Sequence, residues 1–122
     1  MMRILIVDDD PWSGRITSRL LERRGHDVVT AIDLGDARDK LADLAALELV
    51  LLDIHLPGGT GDALLREIRT RSERLPVIAV TASAMAGDRE RFLNQGFTAY
   101  VSKPLDVRSF AETVERYGGT SR

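Results

Sequence analysis

The chain has 122 residues, enough for one ordinary domain, and its 43% hydrophobic and 30% charged residues exclude a disordered tail or a membrane-embedded protein. A formal net charge of -2 leaves no basic excess to offset a phosphate backbone, so nucleic-acid binding is not expected. The absence of cysteine removes disulfides and thiolate chemistry and fits a reducing compartment.

The chain opens on Met1-Met2-Arg3 and the apolar run Ile4-Leu5-Ile6-Val7, too short for a signal peptide and followed at once by three aspartates. No later run approaches the roughly 20 apolar residues that span a bilayer. A soluble cytoplasmic protein is expected. Residues 11–24 carry helical periodicity, with Ile16, Leu20 and Leu21 expected to face a sheet and Gly25 to end the helix in a left-handed turn. Asp10 before Pro11 reads as a helix N-cap, and Trp12 as a partly buried residue of that helix without a catalytic role.

His26 reads as a surface histidine in the turn before the strand at Val28-Val29. A second helix is predicted over 34–46, a third strand at Leu49-Val50-Leu51-Leu52, and a third helix over 61–71 after a glycine-rich turn at Gly58-Gly59. That turn is no phosphate loop, since no Gly-Lys-Ser/Thr follows. A strand at Val77-Ile78-Ala79-Val80 precedes a helix over 84–95, closed by Gly96, with Met85 and Phe92 as packing residues. The last pair is a strand at Ala99-Tyr100-Val101 and a helix over 106–117, with Val107, Phe110 and Val114 toward the sheet. Residues 118–122 are expected to fray. Near-continuous apolar strands alternating with helices imply a parallel sheet covered on both faces. The expected fold is a doubly wound, flavodoxin-like α/β domain of five strands in the order 2-1-3-4-5.

Polar residues interrupt this pattern at strand C-termini, where such sheets bind ligands: Asp8, Asp9 and Asp10, then Asp53, Thr81 and Lys103. Crowded carboxylates repel one another, so the arrangement calls for a cation. Oxygen ligands without His or Cys favour a hard ion, Mg²⁺ or Mn²⁺, with Asp8, Asp9 and Asp53 as carboxylate ligands and the His55 backbone carbonyl as a further one. A carboxylate can attack phosphorus, and Asp53 is the central one. Lys103 would balance phosphoryl charge, Thr81 would donate to a phosphoryl oxygen, and small Ala82 would leave room for the donor. Each residue also has a plainer reading. Asp8 and Asp9 suit a solvated acidic turn, Lys103 a surface cation, Thr81 a β-branched strand residue, and Tyr100 a half-buried packing aromatic. The side chains of His55 and Ser83 read as rim groups that tune phosphoryl lifetime.

The segments ILIVDDDP, LVLLDIHLPGGTG and VIAVTASAMAGDRERFLNQGFTAYVSKPL resemble the bacterial two-component receiver domain in its single-domain form, over nearly the whole chain. The resemblance implies a receiver over residues 1–117, with Asp8 and Asp9 binding Mg²⁺ and Asp53 as the phosphoacceptor. It implies Thr81 and Tyr100 as a switch pair, Lys103 as the phosphoryl-binding cation, and a cis bond before Pro104. It also implies phosphoryl transfer from a sensor histidine kinase or histidine phosphotransfer protein, with slow self-dephosphorylation rather than turnover. Output would pass to a downstream protein through the face of helix 4, strand 5 and helix 5, from a monomer or a phosphorylation-dependent dimer. Two alternatives remain at this point. A haloacid-dehalogenase-like phosphatase would use Asp8 as nucleophile but leaves Asp53 unexplained, and an adaptor of the same fold would dock without phosphorylation.

Overall fold

The computed structural model describes residues 2–56, 59–82, 87–103 and 106–119. Expectations for the Gly58 turn position, Ser83, Met85, the start of the 84–95 helix, the bond to Pro104 and residues 120–122 lie outside that set.

Five strands form one parallel sheet: β1 (Arg3–Val7), β2 (Asp27–Ala31), β3 (Leu49–Asp53), β4 (Val77–Thr81) and β5 (Ala99–Ser102). Their order is β2-β1-β3-β4-β5, as the alternating pattern predicts. The strands are apolar at nearly every position because both faces are covered. On one face Leu5, Val50, Leu52 and Ala79 pack against Leu64, Leu65, Ile68 and Phe92. On the other, Ile4, Ile6, Leu49, Leu51 and Ile78 pack against Leu21, Phe110 and Val114. No helix among the described residues is long and apolar enough to cross a membrane.

Helix α1 (Pro11–Glu22) is capped by Asp10, whose carboxylate accepts from the Trp12 amide at 3.0 Å. Its buried stripe is Gly14, Thr17 and Leu21 rather than the run expected from Ile16. Thr17 can be buried because its hydroxyl donates to the Ser13 carbonyl at 2.9 Å, and this rotation leaves Ile16 44% and Trp12 67% exposed. Both residues thus stand in solvent where a sheet-facing or partly buried position was predicted.

Helix α2 (Leu34–Lys40) stops earlier than its apolar period suggests and continues as a 3₁₀ segment over Leu41–Ala46, broken at Asp43 (φ -105°, ψ 63°). The Arg71 guanidinium takes the carbonyls of Leu41 and Ala42 at 2.8 and 3.2 Å, satisfying groups that a continuous helix would bond internally. Helix α3 spans Gly61–Arg71 and α4 spans Asp88–Gln95. Helix α5 (Phe110–Gly119) begins later than predicted. The Asp106 side chain and carbonyl hold residues 106–109 in turns, and Val107 is therefore 62% exposed instead of facing the sheet.

Candidate phosphoryl-accepting site

Two strand ends and two loop starts converge above the centre of the sheet. β1 and β3 are adjacent, so Asp8 and Asp53 leave the sheet side by side, and β4 and β5 bring Thr81 and Lys103 up next to them. Asp8, Asp53 and Thr81 are all buried, at 7%, 8% and 2% exposure, whereas Asp9 is exposed at the rim. One carboxylate oxygen from each of Asp8, Asp9 and Asp53 lies within 4.8 Å of the others. Such an all-oxygen, strongly anionic donor set fits a small hard divalent cation and offers nothing to a soft one.

Local backbone geometry fixes the two buried carboxylates. The Asp10 amide donates to Asp8 Oδ1 at 3.0 Å and the His55 amide donates to Asp53 Oδ1 at 3.1 Å. The other oxygen of each faces Lys103, whose Nζ stands 3.5 Å from Asp8 Oδ2 and 3.3 Å from Asp53 Oδ2. Lys103 is carried there by β5, and its own amide donates to the Thr81 carbonyl at 2.8 Å.

Burial pushes the Asp53 carboxyl above its ordinary pKa, and the neighbouring Asp8 charge adds to this. The His55 amide and the Lys103 ammonium only partly offset them. For Lys103, burial works against the charge, but Asp8 and Asp53 outweigh it and hold the ammonium above the usual lysine value. The site thus carries one firmly held positive charge against three carboxylates and is short of cation.

Behind Asp53 the chain makes a close approach. A short antiparallel ladder, His55–Leu56 with Gly59–Thr60, leads back so that the Gly61 amide donates to the Ile54 carbonyl at 2.9 Å. A Cβ on Gly61 would stand 2.9 Å from the Asp53 carbonyl oxygen, so only glycine lets α3 start here. The His55 and Ala82 side chains are exposed at the mouth. Tyr100 is partly buried, its ring 5.8 Å from that of Phe92 on α4.

Sequence reasoning singled out every residue of this cluster but missed His26. That side chain is buried, with Nδ1 accepting from the Met2 amide at 3.0 Å and Nε2 lying 2.7 Å from Glu115 on α5. Its partners are remote in sequence, and no local pattern signals them.

A family model for the response regulator receiver domain matches residues 4–115. The chain belongs to the response regulator receiver domain family. This receiver domain is 36% identical to the polar-differentiation response regulator DivK of Brucella anthropi over 118 residues, covering 95% of each protein. It is also 36% identical to part of the sensor protein GacS of Pseudomonas syringae pv. syringae, where it spans 96% of its own length but only 13% of that protein. Among solved structures it is similar to the CheY-like receiver domain protein of Methanospirillum hungatei JF-1. That likeness has a TM-score of 0.89 and 31% identity, covering 99% of this chain and 96% of the other. The receiver fold is the five-stranded flavodoxin-like arrangement described above.

Proposed function

We propose that this receiver is a cytoplasmic switch in which Asp53 accepts a phosphoryl group from a phosphohistidine of a sensor kinase or histidine phosphotransfer protein. One observation carries this reading. A buried carboxylate at the centre of the sheet's C-terminal edge is flanked by two further carboxylates within 4.8 Å and by a lysine at 3.3 Å.

Asp53 attacks phosphorus as its P–N bond to the donor histidine breaks, the electron pair leaving with the imidazole. The product is an acyl phosphate. Asp8, Asp9, Asp53 and the His55 backbone carbonyl would hold Mg²⁺ or Mn²⁺, which when bound supplies positive charge to the phosphoryl oxygens. Lys103 balances a further phosphoryl oxygen, and its distances of 3.3 and 3.5 Å to Asp53 and Asp8 support that role. Small, exposed Ala82 keeps the donor's approach open.

Thr81 turns its hydroxyl to the phosphoryl group, and Tyr100 follows into the space it leaves. The surface of α4, β5 and α5 changes as a result and meets the downstream target. Burial of Thr81 on β4 and the contact of Tyr100 with Phe92 support this route. Hydrolysis of the acyl phosphate returns the switch to rest.

Trp12 gives a direct test, because its exposed indole lies three residues beyond Asp9. Beryllofluoride, which stands in for the phosphoryl group, should alter Trp12 emission only when Mg²⁺ is present and not in Asp53→Asn. An equal response in Asp53→Asn, or none in the wild type, would defeat the proposal.

A further inference from the structure

Arg69, in the last turn of α3, is a half-buried guanidinium paired with carbonyl groups instead of a carboxylate. Its Nε donates to the Gly96 carbonyl at 2.9 Å, and its Nη1 to the carbonyls of Leu75 and Ser72 at 2.7 and 3.2 Å. Burial lowers its pKa, and among the described residues the three carbonyl dipoles offset the desolvated charge. Two of those carbonyls lie at helix C-termini, of α3 itself and of α4, where a cation is favoured. Arg69 is therefore a strap between the end of α3, the approach to β4 and the end of α4.

The two ends of α4 are held very differently. At its C-terminus Gly96 turns into the left-handed region (φ 113°), its amide donating to the Leu93 carbonyl, while Phe97 closes onto the Phe92 carbonyl at 3.1 Å. Phe92 and Phe97 are buried with their rings 5.6 Å apart, edge to face, and Gly96 packs against the Arg69 stem and Leu65. At the N-terminus the cap is Gly87, with φ 88° and no side-chain hydrogen bond, followed by an ion pair between buried Asp88 and exposed Arg91. That end lies nearer in sequence to Thr81.

We propose that Arg69 is a positioning residue of the switch. It fixes the C-terminal end of α4 as a pivot, so that movement begun at Thr81 is delivered as a swing of the N-terminal end. The proposal rests on the switch reading of Thr81 and Tyr100. It adds that the direction of the motion is set from the C-terminal end of α3, whose other end starts beside Asp53.

Residue-resolved hydrogen exchange on the full chain tests it, at rest and with Mg²⁺ and beryllofluoride, in the wild type, Arg69→Met and Arg69→Lys. In the wild type the mimic should change protection over residues 88–91 and leave 92–97 as they were. Arg69→Met should speed exchange at residues 92–97 by about tenfold at rest without a matching loss in β4, and should let the mimic's effect run through the whole helix. Arg69→Lys should recover part of the difference, because one ammonium cannot serve three carbonyls in a fork. A uniform loss of protection in Arg69→Met, or a response to the mimic identical to that of the wild type, would overturn the pivot alone. A wild-type α4 indifferent to the mimic, or one altered equally at both ends, would also overturn it, and indifference would take the switch reading down as well.

Discussion

Glu115 joins two parts of the surface that the sequence keeps far apart. Its carboxylate takes a two-pronged bond from Arg24, at 3.1 and 2.6 Å, and a bond of 2.7 Å from buried His26. Because His26 Nδ1 already accepts from the Met2 amide, Nε2 carries the proton and donates to Glu115. Arg24's hydrogen bond is the largest influence on Glu115; despite opposition from partial burial, it and His26 hold the carboxyl at about 2 instead of 4.5. A depressed carboxyl pKa means the folded state favours the ionised form. This contribution is complete above about pH 4.5 and is lost as pH falls through about 2. Glu115→Gln should therefore be less stable than the wild type at neutral pH, with the gap closing below pH 4.5. Urea unfolding across that range measures it, and a gap independent of pH would contradict the assignment. None of this was legible beforehand. His26 beside Gly25 looks like any turn histidine, and only the packing of α5 against the α1–β2 turn buries it.

Among the elements, α3 shows how a helix start can set a functional group. Gly61 lies against the backbone of Asp53, and added volume there meets a carbonyl that cannot move without moving the proposed phosphoacceptor. Gly61→Ala should cost about 1 to 3 kcal/mol in urea unfolding, the usual range for overpacking, despite alanine's better helix propensity. It should also slow labelling of Asp53 by acetyl phosphate. Unchanged labelling would show that the close approach is only structural.

Helix existence was readable from periodicity throughout, but facing and ends were not. In α1 the buried stripe runs through glycine and threonine, so the strongest apolar signal, Ile16, points outward. In α2 an arginine from another helix ends the regular bonding, a tertiary effect that no window of local sequence contains. The start of α5 was displaced by an aspartate-stabilised turn that also places Val107 in solvent.

Across the whole molecule, βα alternation with right-handed crossovers points to a doubly wound sheet, and the observed order is the common five-stranded one, which brings the ends of β1, β3, β4 and β5 to one edge. The convergence of the aspartates, threonine and lysine was legible because each is a polar residue at the end of an apolar strand, where burial demands a partner or a role. The need for a cation was legible in the crowded aspartates, but the way Lys103 is shared among them was not. The shortage of cation is one ammonium, shared at 3.3 and 3.5 Å between two buried carboxylates, against three acids, with Asp9 at the rim.

That shortage makes the central claim one of chemistry at a single atom group, open to direct mapping. The protein is incubated with a phosphorylated histidine donor, with and without Mg²⁺, then reduced with borohydride, which converts an acyl phosphate to the corresponding alcohol, and its peptides are sequenced by mass spectrometry. Homoserine should appear at position 53 only in the Mg²⁺ sample. Reduction at Asp8, a label on any other residue, or transfer that ignores the divalent ion would contradict it.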